Sequence, residues 1–406
     1  MPPVRADQNL VKQLNCALIL DQLLASSPLS RANLAEQTGL TRSTVSSLVG
    51  ELIEQGLIRE VGLESAGSRG RPGILLELNP YGGSIVGIEI NVGYVTVILT
   101  DFTARTLWRR HVQIPETTDR AEMLALAEGL IGEAIRAGAA NNLRLLGIGL
   151  GVPGLVDIGQ GVLRYAPNLG WRDVNFREQW GNKFGVPLYI ENDGNAAALG
   201  EHYFGVAKGH QHFVFLGTGV GLAGGLMLNG EVYRGVGGYA GEVGHMIVES
   251  GGDLCSCGRR GCWETLVGPR AVIRGIAQAL ERGAPSRIPE LVGGDTRRIT
   301  MDVVVSAANQ GDQLALDTLS DIALYLGAGI ANLINLFNPE MIVLGGTLIA
   351  AGDYLLRPIS KIIAAEALPE PTRMVALALS ALGMDACVKG AVALVIDGIV
   401  REPVFC

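Results

Sequence analysis

Two stretches of this chain follow one plan, and that repetition constrains the fold more than any other feature. Residues 85–90 and 94–100 are apolar runs of strand length on either side of Asn91-Val92-Gly93. Residues 213–216 and 222–228 flank Gly217-Thr218-Gly219-Val220-Gly221 in the same way. Short uncharged runs bounded by glycine read as buried strands, and each pair is followed by helix-rich sequence. The expectation is a duplicated α/β body with a cleft between two lobes. Glycine makes up 56 of 406 residues, about twice ordinary usage. It has no three-residue period, so it marks tight turns and close backbone approaches, not a collagen-like chain.

Ahead of that body, residues 10–58 read as three short helices. Cys16, Ile19, Leu20, Leu23 and Leu24 recur at the spacing of one buried helical face. Ser30 is placed to cap a second helix over residues 31–38, which Gly39 closes. Thr41 caps a third, with Val45, Leu48, Val49 and Leu52 inward and Arg42, Ser43, Ser46 and Ser47 on the other side. Small hydroxyls let a helix lie deep in a major groove, and an early arginine reaches guanine or phosphate. Two further strand-like runs, 57–61 and 74–78, flank Gly67-Ser68-Arg69-Gly70-Arg71-Pro72-Gly73. The module therefore reads as a winged helix-turn-helix whose Arg69 and Arg71 enter or straddle the minor groove.

Charge tempers this reading without reversing it. The net charge of −8 excludes a chain coated in nucleic acid, and residues 1–80 hold seven Lys/Arg against eight Asp/Glu. The bases cluster at the reading helix and wing, and that distribution is what points to DNA. The competing reading is a protein-interaction module with solvated wing arginines. The first nine residues are polar and carry Arg5 and Asp7, unlike a secretory leader. Two uncharged stretches, 213–228 and 322–339, are broken by glycines or by Asn332, Asn335 and Asn338. They read as buried strand and buried helix, so no membrane insertion and a cytoplasmic location are expected.

Polar groups gather where strands end. Asn168 follows Pro167 in an irregular stretch, Glu191-Asn192-Asp193 precedes an alanine-rich helix, and Glu242 and His245 share Ala240-Gly241-Glu242-Val243-Gly244-His245. Glu264 comes just after Cys255-Ser256-Cys257-Gly258 and Gly261-Cys262. Together these donors and acceptors suit a polyhydroxylated ligand, although each alone is more often a cap or a satisfied core group. Three thiols and the imidazole of His245 make a closed tetrahedral set for a structural zinc ion, Zn2+. If one ring nitrogen of His245 holds the metal, the other is fixed in orientation for a ligand hydroxyl.

With these motifs in view, the chain resembles the ROK family of repressors, open reading frames and sugar kinases. The resemblance runs over essentially the whole sequence, including the winged helix of its repressor branch. It rests on Gly170 after Pro167-Asn168-Leu169, on Glu191-Asn192-Asp193, on residues 216–221, on 240–245 and on 255–264. It implies an actin-like, ribonuclease-H-like pair of lobes. Expected boundaries are a winged helix over 1–80, a smaller α/β lobe over 81–194 plus about 386–406, and a larger lobe with the zinc motif over 195–385. By the same resemblance Asn192, Asp193, Glu242, His245 and Glu264 hold sugar, with Asn168 in the neighbouring loop. Asp193 matches the kinases' general base, and His245, Cys255, Cys257 and Cys262 match the zinc ligands.

One segment departs from the kinases. Where they have Asp-x-Gly-Gly-Thr, this chain reads Glu89-Ile90-Asn91-Val92-Gly93. Valine and the lost glycine pair crowd the approach of phosphate, so ATP and Mg2+ are not expected and neither is catalysis. The favoured reading is a sugar-responsive DNA-binding transcriptional regulator, most simply a repressor of carbohydrate genes, with operator DNA and a small sugar as partners and a homodimer or tetramer as its form. The alternatives are an active ATP-dependent sugar kinase carrying a DNA module, and an assembly partner that binds a sugar-transport component.

Overall fold

Cys16, Ile19, Leu20 and Leu23 are fully buried on one face of α1 (Gln8–Ser26), as their spacing requires. This computed structural model describes residues 8–64 and 73–401. Ser30 starts α2 (Arg31–Thr38) with a reciprocal cap: its hydroxyl accepts from Asn33 N, and Asn33 Oδ1 accepts from Ser30 N at 3.0 Å. Gly39, at φ 71°, ends that helix. Thr41 caps α3 (Arg42–Glu54) by accepting from Thr44 N at 3.2 Å. Val45, Leu48, Val49 and Leu52 face inward, each contributing about 1.5–3 kcal/mol by leaving water. Strands β1 (Leu29–Ser30), β2 (Ile58–Leu63) and β3 (Ile74–Leu78) form one sheet in the order β1-β3-β2. Arg69 and Arg71 lie outside the described residues.

The chain divides into two compact units. One holds residues 1–150, 175–190 and 391–406; the other holds 151–174 and 191–390. The winged helix belongs to the first unit with the lobe that follows it. The connection is short and pinned: Asn79 donates to Gly56 O at 2.7 Å, and its backbone N–H donates to Leu57 O at 2.9 Å. In that lobe β4 (Ser84–Asn91) and β5 (Tyr94–Asp101) pair antiparallel from Ser84↔Asp101 to Asn91↔Tyr94, leaving Val92-Gly93 as the turn. The five-stranded sheet runs Leu188–Asn192, β7 (Leu145–Val152), β4, β5, β6 (Thr106–Gln113), and the helix Arg120–Ala140 packs on it.

The second unit repeats the plan. Phe213–Thr218 pairs antiparallel with Leu222–Leu228 and parallel with Met341–Gly346, inside a sheet completed by Glu231–Val232 and Ala376–Leu379. The region 155–174 joins this unit through a small sheet of Leu155–Asp157, Val162–Ala166 and Trp171–Asn175, and does not join the first lobe. Among the described residues one helix, Gln313–Phe337, is long and apolar enough to cross a membrane. Half of its apolar window is buried in the core, where Trp263 Nε1 donates to Tyr325 O at 2.9 Å. Stretch 213–228 is likewise strand and turn, as its glycines imply.

Candidate functional site

All six sugar-site expectations fall in the second unit. Asn192 caps the helix Asp193–Phe204: its Oδ1 accepts from Gly194 N at 2.9 Å and Asn195 N at 3.2 Å. Its Nδ2 donates to Gly154 O at 3.0 Å. The Asn192 side chain is therefore largely spent on holding the loop, and what it delivers is the placement of Asp193. The helix start lies against the glycine strand behind it. A Cβ on Gly194 would sit 2.4 Å from Gly224 O, and one on Gly225 would sit 2.3 Å from Gly194 O. Only glycines permit that approach, which brings Asp193 to the strand whose far connection carries Glu242.

Burial then acts on the acids. Loss of water pushes the Asp193 carboxyl up to about 6, against hydrogen bonds from Gly194 and its own N–H. Glu242 is pushed up to about 7 by desolvation first, then by the negative charges of Asp193 and Glu264. His245 ends the turn Val243–His245 and lies between two of these groups: Nε2 is 3.9 Å from Glu242 Oε2, and Nδ1 is 3.6 Å from Glu264 Oε1. A Cβ on Gly221 would lie 2.1 Å from Glu264 Oε2 and 3.8 Å from Asn168 Nδ2, so Asn168 and Glu264 meet at that glycine. Asp193, Glu242, His245, Glu264 and Asn168 thus share one partly buried neighbourhood.

The ligand atoms of His245, Cys255, Cys257 and Cys262 all lie within 4.8 Å of one another. Cys257 Sγ is 3.7 Å from Cys262 Sγ, and Cys255 Sγ is 3.5 Å from His245 Nδ1. Those are the edges expected of a tetrahedron with Zn–S of about 2.3 Å and Zn–N of about 2.0–2.1 Å. Burial, then the Glu264 carboxylate that accepts from its thiol at 2.8 Å, pushes Cys255 up. Although desolvation opposes it, the backbone and guanidinium of Arg259 bring Cys257 down. The cluster can hold a metal ion, with His245 Nδ1 turned to the sulfurs and Nε2 to Glu242.

In the first unit the degenerate turn is closed on itself. Asn91 Oδ1 accepts from Val92 N at 2.8 Å, Tyr94 OH donates to Glu89 Oε1 at 2.5 Å, and Asn91 Nδ2 reaches the same oxygen at 3.4 Å. Val92 is only 7% exposed. One backbone N–H, that of Val92, and one Glu89 carboxylate oxygen are thus engaged within the turn itself. Tyr94 carries no spacing signal in the sequence. On α3 of this unit Arg42, Ser43, Ser46 and Ser47 are all exposed.

Comparison with known proteins decides the lineage. The ROK family model matches residues 85–398, and a MarR family model matches residues 13–67. The chain belongs to the ROK family. It is 34% identical to the xylose repressor of Bacillus spizizenii, over 97% of each chain. It is 32% identical to the DNA-binding transcriptional dual regulator NagC of Escherichia coli K12, over 89% of this chain and 87% of that one. A solved ROK family transcriptional regulator, described as a homologue of the E. coli MLC protein, superposes with TM-score 0.83 at 29% identity, over 98% of both chains. A ROK family glucokinase from Streptomyces griseus, solved with glucose and AMPPNP, matches at TM-score 0.67 and 32% identity. It covers 76% of this chain and 98% of its own. The ROK body alone is therefore common to kinases and regulators; the end-to-end match, winged helix included, is with regulators. This ROK protein is a sugar-responsive, DNA-binding transcriptional regulator of the repressor branch.

Proposed function

We propose that this ROK protein is a cytoplasmic repressor of carbohydrate genes that binds a free sugar in the second unit and does not phosphorylate it. The observation that carries this reading is the contrast between two sites. Asp193, Glu242, His245 and Glu264 remain gathered as acceptors and donors for hydroxyls, while the Glu89–Gly93 turn is filled by its own side chains. Phosphoryl transfer depends almost wholly on positioning and charge neutralisation, so a sugar site without a phosphate seat binds and does not turn over.

In this reading Asp193 accepts from a sugar hydroxyl, Glu242 and Glu264 accept from neighbouring ones, and His245 Nε2 completes the set. Asn168 and Asn192 line and place the loop. A bound Zn2+ neutralises the thiolates of Cys255, Cys257 and Cys262 and fixes the ring of His245. Arg42, Ser43, Ser46 and Ser47 read the operator from α3, with Arg69 and Arg71 at the wing, and a symmetric dimer presents two such modules to two half-sites. A sugar that binds the released form better than the DNA-bound form by about 1–3 kcal/mol suffices as a switch.

The test is operator binding with and without D-xylose, D-glucose and N-acetyl-D-glucosamine, alongside ADP release from MgATP with each sugar. The expected result is operator release by one sugar and no ADP above background. An operator affinity unchanged by every sugar that binds, or turnover abolished by Asp193→Asn, refutes it.

A further inference from the structure

Arg234 has no part in the site described so far, yet it is tied to the residue beside it. Its Nε donates to Glu191 Oε2 at 2.7 Å, and its Nη1 donates to Val232 O at 3.3 Å. Glu191 is 1% exposed, and its other oxygen accepts from Asn192 N at 3.0 Å and Asn195 Nδ2 at 3.2 Å. One buried carboxylate therefore joins three pieces: the strand end that carries Asn192 and Asp193, the first turn of the helix they start, and the loop that leads to Glu242.

That loop is closed at its base. Ala240 N donates to Arg234 O at 3.0 Å, which closes it two residues before Glu242. Between those ends Gly235 and Gly238 are left-handed, at φ 66° and 87°, and Val236 at the tip is fully exposed. Beyond the loop a Cβ on Gly224 would lie 2.5 Å from Val243 Cγ2 and 2.6 Å from Gly241 O, so the strand holds Glu242 from one side, while the Arg234 anchor fixes the loop that delivers it and, through Glu191, the strand end next to Asp193. Arginine suits the task because its planar fork is pre-organised and less hydrated than an ammonium, so it holds a buried carboxylate at lower desolvation cost. Removing one partner of such a pair leaves a buried charge uncompensated.

We propose that Arg234 is a positioning residue of the effector pocket: its ion pair with Glu191 sets the placement of Glu242 relative to Asp193, and with it which pattern of sugar hydroxyls the two carboxylates accept together. This rests on the reading of that pocket as the sugar site.

The experiment is calorimetric titration of the full-length, zinc-loaded chain with a panel of pentoses, hexoses and N-acetylated hexoses. Arg234→Ala is expected to weaken binding of the preferred sugar about tenfold to a hundredfold and to narrow its preference over the others. Arg234→Lys restores most of the affinity, since an ammonium still pairs with Glu191. Because Arg234→Ala strands a buried charge, the neutral pair Glu191→Gln with Arg234→Met keeps the test sound: it folds and holds zinc as wild type does, yet binds weakly and with flattened preference. Wild-type affinity and preference in Arg234→Ala, or their return in the neutral pair, overturns the proposal. Loss of binding in Asp193→Asn with retention in Arg234→Ala overturns this inference alone, whereas a wild-type chain that binds no sugar of the panel overturns the pocket reading and this inference with it.

Discussion

The buried acid at Asp193 gives the sharpest test of the proposed effector site. Desolvation pushes Asp193 from the ordinary 3.8 up to about 6. A raised carboxyl means that the folded chain holds a proton the unfolded chain has released. Its stabilising contribution is complete below about pH 4 and is lost as pH rises through about 6, a change of about 3 kcal/mol. Sugar binding runs the opposite way if the ionised carboxylate accepts the hydroxyl. Apparent affinity then scales with the ionised fraction, so the Asp193 share alone puts Kd at pH 5 about tenfold above its value at pH 7.5, and Glu242, pushed up to about 7, adds to the rise. Asp193→Asn fixes the neutral form. It should bind sugar weakly at every pH, lose its share of the pH dependence of thermal unfolding, and be the more stable protein at pH 8. Calorimetric titration from pH 5 to 8 on both proteins, with zinc content followed as a control, supplies the measurement. A wild-type pH profile retained by Asp193→Asn refutes the assignment, because the titrating group would then lie elsewhere.

Three further outcomes follow from the same structure. Cys257→Ser removes one of four ligand atoms that lie within 4.8 Å of one another. Metal content measured by mass spectrometry should fall, with melting temperature and sugar affinity falling together; zinc loss with normal sugar affinity would break the link through His245. Asn192→Ala strips a cap that accepts from two backbone N–H groups. It should cost about 1 kcal/mol in chemical denaturation, whereas Asn192→Asp keeps the cap but loses the bond to Gly154 O, and weakens sugar binding by placing a second charge beside Asp193. Arg42→Ala, exposed on α3, should lower operator affinity by about 1–3 kcal/mol and leave sugar affinity and melting temperature unchanged; an unchanged operator affinity would remove α3 as the reader.

Much of this protein was legible in the linear chain because its signals are local. Period and caps fix the three helices of the DNA-reading module: Ser30 and Thr41 lie within three residues of the N–H groups they satisfy. Glycine-bounded apolar runs fix the strand pairs in both units, and the spacing of Cys255, Cys257 and Cys262 brings three thiols together with His245. What the sequence could not assign was how side chains are spent once neighbours from distant segments arrive. Asn192 reads as a sugar ligand, but tertiary structure commits it to Gly154 and its own helix. Arg234 is a lone arginine in a glycine loop until folding sets it against Glu191, and Tyr94 is an ordinary strand residue until its hydroxyl meets Glu89. Capping and periodicity act within one helical turn, and the residues themselves carry them; desolvation and ion pairing depend on what surrounds a charge in three dimensions, and only the packed chain provides that.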